Sequence, residues 1–329
     1  MKTISVLIPE GDISINIVEG IYHIFLEANK TLVRSGRKPV FHFQLVGKRR
    51  DNFFKENFFS IHPNYLINED FRTDLLIIPA LHGDIMRGLE QNQDLLPWIV
   101  EQYERGIEVM SLCTGAFLLA STGLLSGRSC TTHWIHANEF REMFPDITLV
   151  KDEIMTYEHR IYTSGAAYSY LNLILYIVEK HCGRDIMLMV AKIFAIDVSR
   201  QRQSHFIIFQ GYKQHHDDCI LRAQEYIENN YQEKITVDQL AAQVALGRRN
   251  FERRFKTATS NSVVAYMQKV KIEAAKKLLE GGHKTVNEVM YEIGYNDTKA
   301  FRDTFRKITG MSPLNYRTSF SRETMAFSD

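Results

Sequence analysis

The strongest constraint on this chain is a repeat inside itself. Thr236-Val-Asp-Gln239 and Thr285-Val-Asn-Glu288 share one pattern, in which a threonine hydroxyl and a Gln or Glu side chain satisfy two free N–H groups where a helix starts. Each opens a short helix with apolar residues four apart, Leu240/Val244 and Val289/Ile293, and each helix breaks at a glycine-containing turn, Leu246-Gly247 or Gly294-Tyr295-Asn296. A second helix follows each turn, with Phe251/Phe255/Ala258 in one copy and Phe301/Phe305/Ile308 in the other forming the 3.6-residue stripe of a core-facing surface. The copies stay in step afterwards, Phe255 to Ser262 matching Phe305 to Ser312 and Tyr266 matching Tyr316. Helix, tight turn, helix, twice over, predicts a tandem helix-turn-helix.

Charge follows the same division. The whole chain carries a net charge of +1, but residues 247 to 317 hold 15 Lys and Arg against 7 Asp and Glu, a net +8 that attracts a polyanion such as double-stranded DNA. On a helical wheel with Phe251 and Phe255 inward, Arg249, Arg253 and Lys256 point outward, with Arg248 and Asn250 at the helix start. Arg and Asn are the side chains that make paired contacts to guanine and adenine edges, whereas Lys256 suits a phosphate. The second copy offers Thr298, Lys299, Arg302 and Arg306, but Asp303 shares that face and weakens the expectation of base readout there. Residues 263 to 279 are long enough to join the two units as one rigid helix, ending at Gly281-Gly282.

The stretch from about Leu221 to Phe320 resembles the AraC/XylS-type DNA-binding domain. The resemblance rests on Leu240-Ala241, Phe251-Glu-Arg-Arg-Phe255-Lys, Ile272-Glu-Ala-Ala275-Lys-Lys-Leu-Leu279, Ile293-Gly-Tyr295 with Ala300-Phe301, and Gly310-Met-Ser-Pro313-Leu-Asn-Tyr316-Arg. Lys271 and Asp303 depart from it, standing where that family usually shows arginine.

The first two-thirds read differently. Short β-rich runs (4–8, 40–46, 74–79, 107–113, 148–150, 160–163) alternate with helical stretches (13–33, 95–105, 115–122, 166–181, 185–196), which predicts βαβ units and a flavodoxin-like parallel sheet with flanking helices. Strand Ile107 to Leu112 runs directly into Cys113-Thr-Gly-Ala, a strand, a sharp turn and a helix, and a thiol at that elbow is expected to have its pKa lowered by the helix N-terminus. Cys113-Thr-Gly-Ala, Gly123-Leu-Leu-Ser-Gly127-Arg, Thr131-Thr-His133-Trp134 and Thr163-Ser-Gly165 resemble the PfpI and class I glutaminase-like superfamily, in the version fused to an AraC-type domain that is called the GlxA family of regulators. Enzymes of that superfamily use the elbow cysteine as nucleophile. Here Asn16-Ile17 replaces the acid of the helix after strand one, and Thr114 replaces the histidine that peptidase-like members carry. Glu10, His82 and His133 therefore join Cys113 as candidate pocket residues at convergent strand ends, and no catalytic residue is expected.

The expectation is an α/β domain over residues 1–202, a linker over 203–219 with the solvated cluster His215-His216-Asp217-Asp218, an all-α tandem helix-turn-helix domain over 220–320, and a tail over 321–329. With 45% apolar and 24% charged residues and 7 prolines, the chain is not mainly disordered. Four scattered cysteines without a C-x-x-C pair give no disulfide framework, and no metal or cofactor is expected. No apolar run spans a membrane and no signal-peptide pattern stands at the start, which points to the cytoplasm. The whole reads as a transcriptional regulator, a homodimer responding to a small-molecule effector; the competing reading is a cysteine-dependent amidase or hydratase tethered to DNA.

Overall fold

The computed structural model describes residues 1–54, 59–198 and 202–321, which divide into two compact units, Met1–Gln203 and the residues from Ser204 onward. In chain order the first unit contains β1 (Lys2–Ile8), α1 (Ile15–Arg34), β2 (Phe41–Gly47), β3 (Asn52–Phe54), β4 (Phe59–Ile61), β5 (Tyr65–Leu66), β6 (Leu75–Ile78), α2 (Ile85–Gln91), α3 (Leu95–Glu104), β7 (Glu108–Leu112), α4 (Gly115–Ser121), β8 (Ser129–Cys130), α5 (Ala137–Met143), β9 (Thr148–Leu149), β10 (Met155–Glu158), β11 (Ile161–Ser164), α6 (Tyr170–Cys182) and α7 (Arg184–Ile193). The main sheet runs β10-β11-β7-β6-β1-β2-β5, all parallel except β10. Its five principal parallel strands, numbered by their order along the chain, lie 2-1-3-4-5, the flavodoxin-like arrangement.

The period-2 geometry of a strand loads two cores at once. Leu75 and Ile77 of β6 face the layer of α1, α6 and α7, whereas Leu76 and Ile78 face the layer containing α3 and α4. All four are buried, which is why the strand reads as an unbroken apolar run. The elements not anticipated from sequence are short: the β3–β4 hairpin, β5, α2, β8, the antiparallel edge strand β10, and α5. Helix α6 starts at Tyr170, four residues later than expected, and α7 stops at Ile193, where Ala195 follows at a positive φ of 52°.

The second unit contains α8 (Asp218–Asn229), α9 (Val237–Gln243), α10 (Arg248–Thr259), α11 (Val263–Glu280), α12 (Val286–Glu292), α13 (Thr298–Thr309) and α14 (Pro313–Phe320). Both capping boxes form, Thr236 with Gln239 and Thr285 with Glu288. The repeat builds two small cores, Phe251, Phe255 and Tyr266 in one and Phe301, Phe305 and Tyr316 in the other. Helix α11 serves both, with Val263 and Tyr266 in the first and Ile272, Ala275 and Leu279 in the second. The turn after α9 departs from expectation in one respect: the residue at positive φ is Ala245 (54°), not Gly247, whereas Gly294 (77°) does take that conformation after α12.

Residues 204–217 correct the reading of a solvated connector. Ser204 is buried and its hydroxyl donates to the Thr309 carbonyl, Lys276 Nζ donates to the Ile207 carbonyl at 2.6 Å, and Phe209 N–H donates to Glu273. Gln224 donates to the Tyr212 carbonyl, the His215 ring bonds Gln224, and Asp217 caps α8 while holding Arg254 at 2.7 Å and 3.0 Å. The segment is a strap on the helical unit because the buried Lys276 and Gln224 take its carbonyls as partners, while Asp217 pairs with the half-buried Arg254. The tail from residue 322 lies outside the described residues. No helix among the described residues is long and apolar enough to cross a membrane.

Candidate nucleic-acid interface and the Cys113 turn

On α10 Arg249, Asn250, Arg253 and Lys256, on the face away from Phe251 and Phe255, are solvent-exposed, as is Arg248 at the helix start. These side chains are not equally free. Arg248 pairs with Asp238 at 3.0 Å and with Glu252 at 3.4 Å, and Arg253 Nη2 donates to Asn250 Oδ1 at 3.0 Å. Arg249 and Lys256 have no side-chain partner among the described residues. An arginine fork already oriented on a neighbouring amide loses less rotamer entropy when it meets a base edge than a free one. On α13, Thr298, Lys299, Arg302, Asp303 and Arg306 are all exposed, and none pairs with another side chain among the described residues. Asp297, just outside this helix, caps it through the Ala300 N–H.

The elbow at Cys113 is formed as the sequence suggested, with φ of 56° at the cysteine itself. Gly115 is required there: a Cβ on it would stand 2.5 Å from the Pro79 carbonyl oxygen and 2.7 Å from that of Ile78. The turn is tied down on three sides. Cys113 N–H donates to the Ser164 carbonyl at 3.0 Å, Thr132 Oγ1 donates to the Cys113 carbonyl at 2.8 Å, and Thr114 Oγ1 donates to the Leu81 carbonyl at 2.7 Å.

The thiol overturns the expected low pKa. Burial pushes it up to about 11, and the hydrogen bonds from Thr114 offset only part of that. Desolvation of a side chain 6% exposed outweighs the partial charge of the short helix α4.

The other three pocket candidates are engaged with other partners. Glu10 lies 3.0 Å from Arg49 Nε without hydrogen-bond alignment, and its backbone is clamped by Asn92. His82 is exposed and its N–H donates to the Asp12 carbonyl. His133 Nδ1 accepts from the Ile135 N–H at 3.2 Å, and burial, with the nearby His136, lowers its pKa so that the ring is neutral at pH 7. His133 directly follows Thr132, which places the start of its turn beside Cys113, yet among the described residues no hydrogen bond or ion pair joins Glu10, His82 or His133 to the thiol.

Sequence reasoning missed Gln203. Its side chain is fully buried: Oε1 accepts from the Ala166 N–H at 2.7 Å, and Nε2 donates to the carbonyls of Lys151 (2.8 Å), Glu153 (3.2 Å) and Thr132 (3.3 Å). Gly165 makes the room, since a Cβ there would lie 2.4 Å from Nε2. No local signal marks it, because these partners lie 37 to 71 residues away in sequence. A concavity of about 340 Å³ lies elsewhere on this unit, lined by residues including Glu153, Met155, Asn172, Tyr176 and Glu179, and none of the four candidates lines it.

Comparison with known proteins agrees with this division. The helix-turn-helix domain family matches residues 240–319, and the DJ-1/PfpI family matches residues 44–180. The HTH-type transcriptional regulator GbdR of Pseudomonas aeruginosa is 25% identical over 217 residues, 66% of this chain and 59% of GbdR, so the chain spans less than two-thirds of that relative's length. The HTH-type transcriptional regulator CdhR of the same species is 24% identical over 254 residues, covering 74% of this chain and 75% of CdhR. A crystal structure of a protein from Vibrio parahaemolyticus, assigned as a transcriptional regulator, matches 58% of this chain and 98% of its own length, with 25% identity and a TM-score of 0.51. The chain carries a DJ-1/PfpI domain followed by an AraC-type helix-turn-helix domain.

Proposed function

We propose that this chain is a cytoplasmic transcriptional regulator that reads a specific duplex DNA site through α10 and α13, while its DJ-1/PfpI domain pairs two copies, takes up a small metabolite, or both. The observation that carries this reading is the duplicated helix-turn-helix, each copy burying its phenylalanines inward and leaving a polar, charged face on its second helix. Arg253, held by Asn250, suits a base edge, and Lys256, without a side-chain partner among the described residues, suits phosphate. Regulators named GbdR and CdhR among the relatives support the same reading.

The Cys113 turn serves binding and not turnover on this reading. A thiol raised to about 11 is almost wholly protonated at neutral pH, and nucleophilic catalysis also needs a base in reach, whereas among the described residues Glu10, His82 and His133 make no hydrogen bond to it. Pairing two readers multiplies effective affinity without any new DNA contact, which is what an α/β domain fused to a DNA reader can add.

The test is binding of the full chain to a duplex selected from a random pool. Arg253→Ala should cost on the order of 1–3 kcal/mol and relax preference at particular base pairs, whereas Lys256→Ala should weaken all sequences alike and reduce the salt dependence by about one phosphate contact. Equal binding to all sequences would contradict specific readout.

A further inference from the structure

The register of the repeat gives Asp303 a definite counterpart. Phe251, Phe255 and Thr259 align with Phe301, Phe305 and Thr309. The closing hydrogen bonds repeat as well: Thr259 Oγ1 donates to the Phe255 carbonyl at 2.7 Å and contacts the Asn261 carbonyl at 3.2 Å, and Thr309 Oγ1 does the same with Phe305 at 2.8 Å and Met311 at 3.1 Å. In that register Asp303 stands where Arg253 stands. At about 100° per residue both lie roughly opposite the two buried phenylalanines, the most outward point of the helix.

A carboxylate at that point has limited options on a duplex. Phosphates repel it, and it can only accept hydrogen bonds, so its partners are the exocyclic amines of cytosine or adenine in the major groove. Adenine N6 is flanked by two acceptors, its own N7 and thymine O4, which oppose a carboxylate. Cytosine N4 has an acceptor on one side only, guanine O6, with the C5 hydrogen on the other. Lys299, Arg302 and Arg306, exposed around Asp303, offset the phosphate field. Asp303 is itself exposed and has no ion-pair partner among the described residues, so it meets DNA with its acceptors unspent.

We propose that Asp303 is the specificity-determining residue of the second reading helix, accepting from N4 of a cytosine in the major groove while Lys299, Arg302 and Arg306 hold flanking phosphates. The proposal rests on the DNA-reading assignment above. With Arg253 suited to guanine and Asp303 to cytosine at equivalent points, the two segments of the site carry different base preferences.

The experiment is site selection from a random duplex pool with the full chain, wild type beside Asp303→Ala and Asp303→Asn, followed by affinity measurement on single-base variants of the selected site. Wild type should prefer a C·G pair at one position in the segment contacted by α13, and replacing that pair should weaken binding by about 5- to 100-fold. Asp303→Ala should abolish that preference while leaving the others, and Asp303→Asn should move it toward adenine. If Asp303→Ala instead tightens binding to all sequences equally and keeps every preference, Asp303 is merely repulsive and the proposal is wrong. If wild type selects no site at all, the DNA-reading assignment itself has failed. Selection of a site by wild type with no cytosine preference under α13 would overturn this inference alone. Asp303 is an exposed helix residue without a side-chain partner among the described residues, so neither substitution threatens folding.

Discussion

Tyr266 and Tyr316 hold the same place in two copies of one fold: each ring is buried, and each hydroxyl donates to a glutamate three helices earlier, Glu228 of α8 or Glu280 of α11, at 2.5 Å. The surroundings differ in two respects. Tyr266 also accepts from Gln224, whereas the Lys276 ammonium lies over the Tyr316 ring, 5.9 Å from its centroid. Tyr266→Phe removes two hydrogen bonds and Tyr316→Phe one, so losses of about 1–3 and about 1 kcal/mol are expected in unfolding of the helical unit. Equal effects in denaturant titrations of the two variants would show that Gln224 adds nothing.

Gln203→Ala should destabilise the first unit by about 2–4 kcal/mol, because it leaves the Ala166 N–H and three carbonyls without their buried partner. Gln203→Glu should be no better, since a carboxylate would face those carbonyls. Thermal unfolding of the full chain checks both, and a wild-type transition in either variant contradicts the account.

Much of this was legible in the chain itself, and the exceptions have physical reasons. Long apolar runs such as Leu75 to Ile78 and the 3.6-residue stripe of α10 announce their elements because burial on two faces, or on one, leaves a period in the sequence. The two-residue strand β8 leaves no period to read, and the edge strand β10, with none of its four side chains buried, leaves no apolar run. The elbow at Cys113 could be placed from the strand, Gly115 and the helix that follow each other, but the state of its thiol depends on burial by distant elements, which local spacing does not report. The histidine and aspartate cluster reads as solvated for a related reason, since its partners lie on helices outside the segment, Gln224 nine residues from His215 and Arg254 37 residues from Asp217.

The Cys113 thiol, raised to about 11, should react slowly with iodoacetamide at pH 7 to 8, while the partly exposed Cys219 is labelled first. Mass mapping of the alkylated peptides decides it; preferential labelling of Cys113 would mean that the turn opens or that the thiolate is stabilised. Cys113→Ser should leave DNA binding intact.

The Arg254 guanidinium beside Asp217 holds its carboxyl below the ordinary carboxylate value, with the Ile220 N–H adding to the effect. A depressed native pKa contributes stability above the unfolded value of about 3.9 and loses it as pH falls through the native one. The helical unit should therefore weaken on acidification below about pH 4, and Asp217→Asn, which keeps the cap on α8, should remove that part of the pH dependence. Unfolding curves of identical pH dependence in wild type and variant would contradict this pairing.

Helix α11 joins the two helix-turn-helix units without a break, and its 18 residues span about 27 Å at 1.5 Å per residue. A rigid connection of that kind requires the two DNA segments to lie on one side of the duplex. The most direct measurement of the central claim is therefore fluorescence anisotropy of the full chain on its selected site and on the same site with five base pairs inserted between the segments read by α10 and α13. Half a helical turn moves the second segment to the opposite side, so affinity should fall to that of a duplex carrying only one of the two segments, and inserting five more should restore little because α11 cannot stretch. Unchanged affinity after the five-base-pair insertion would contradict two units reading one duplex in tandem.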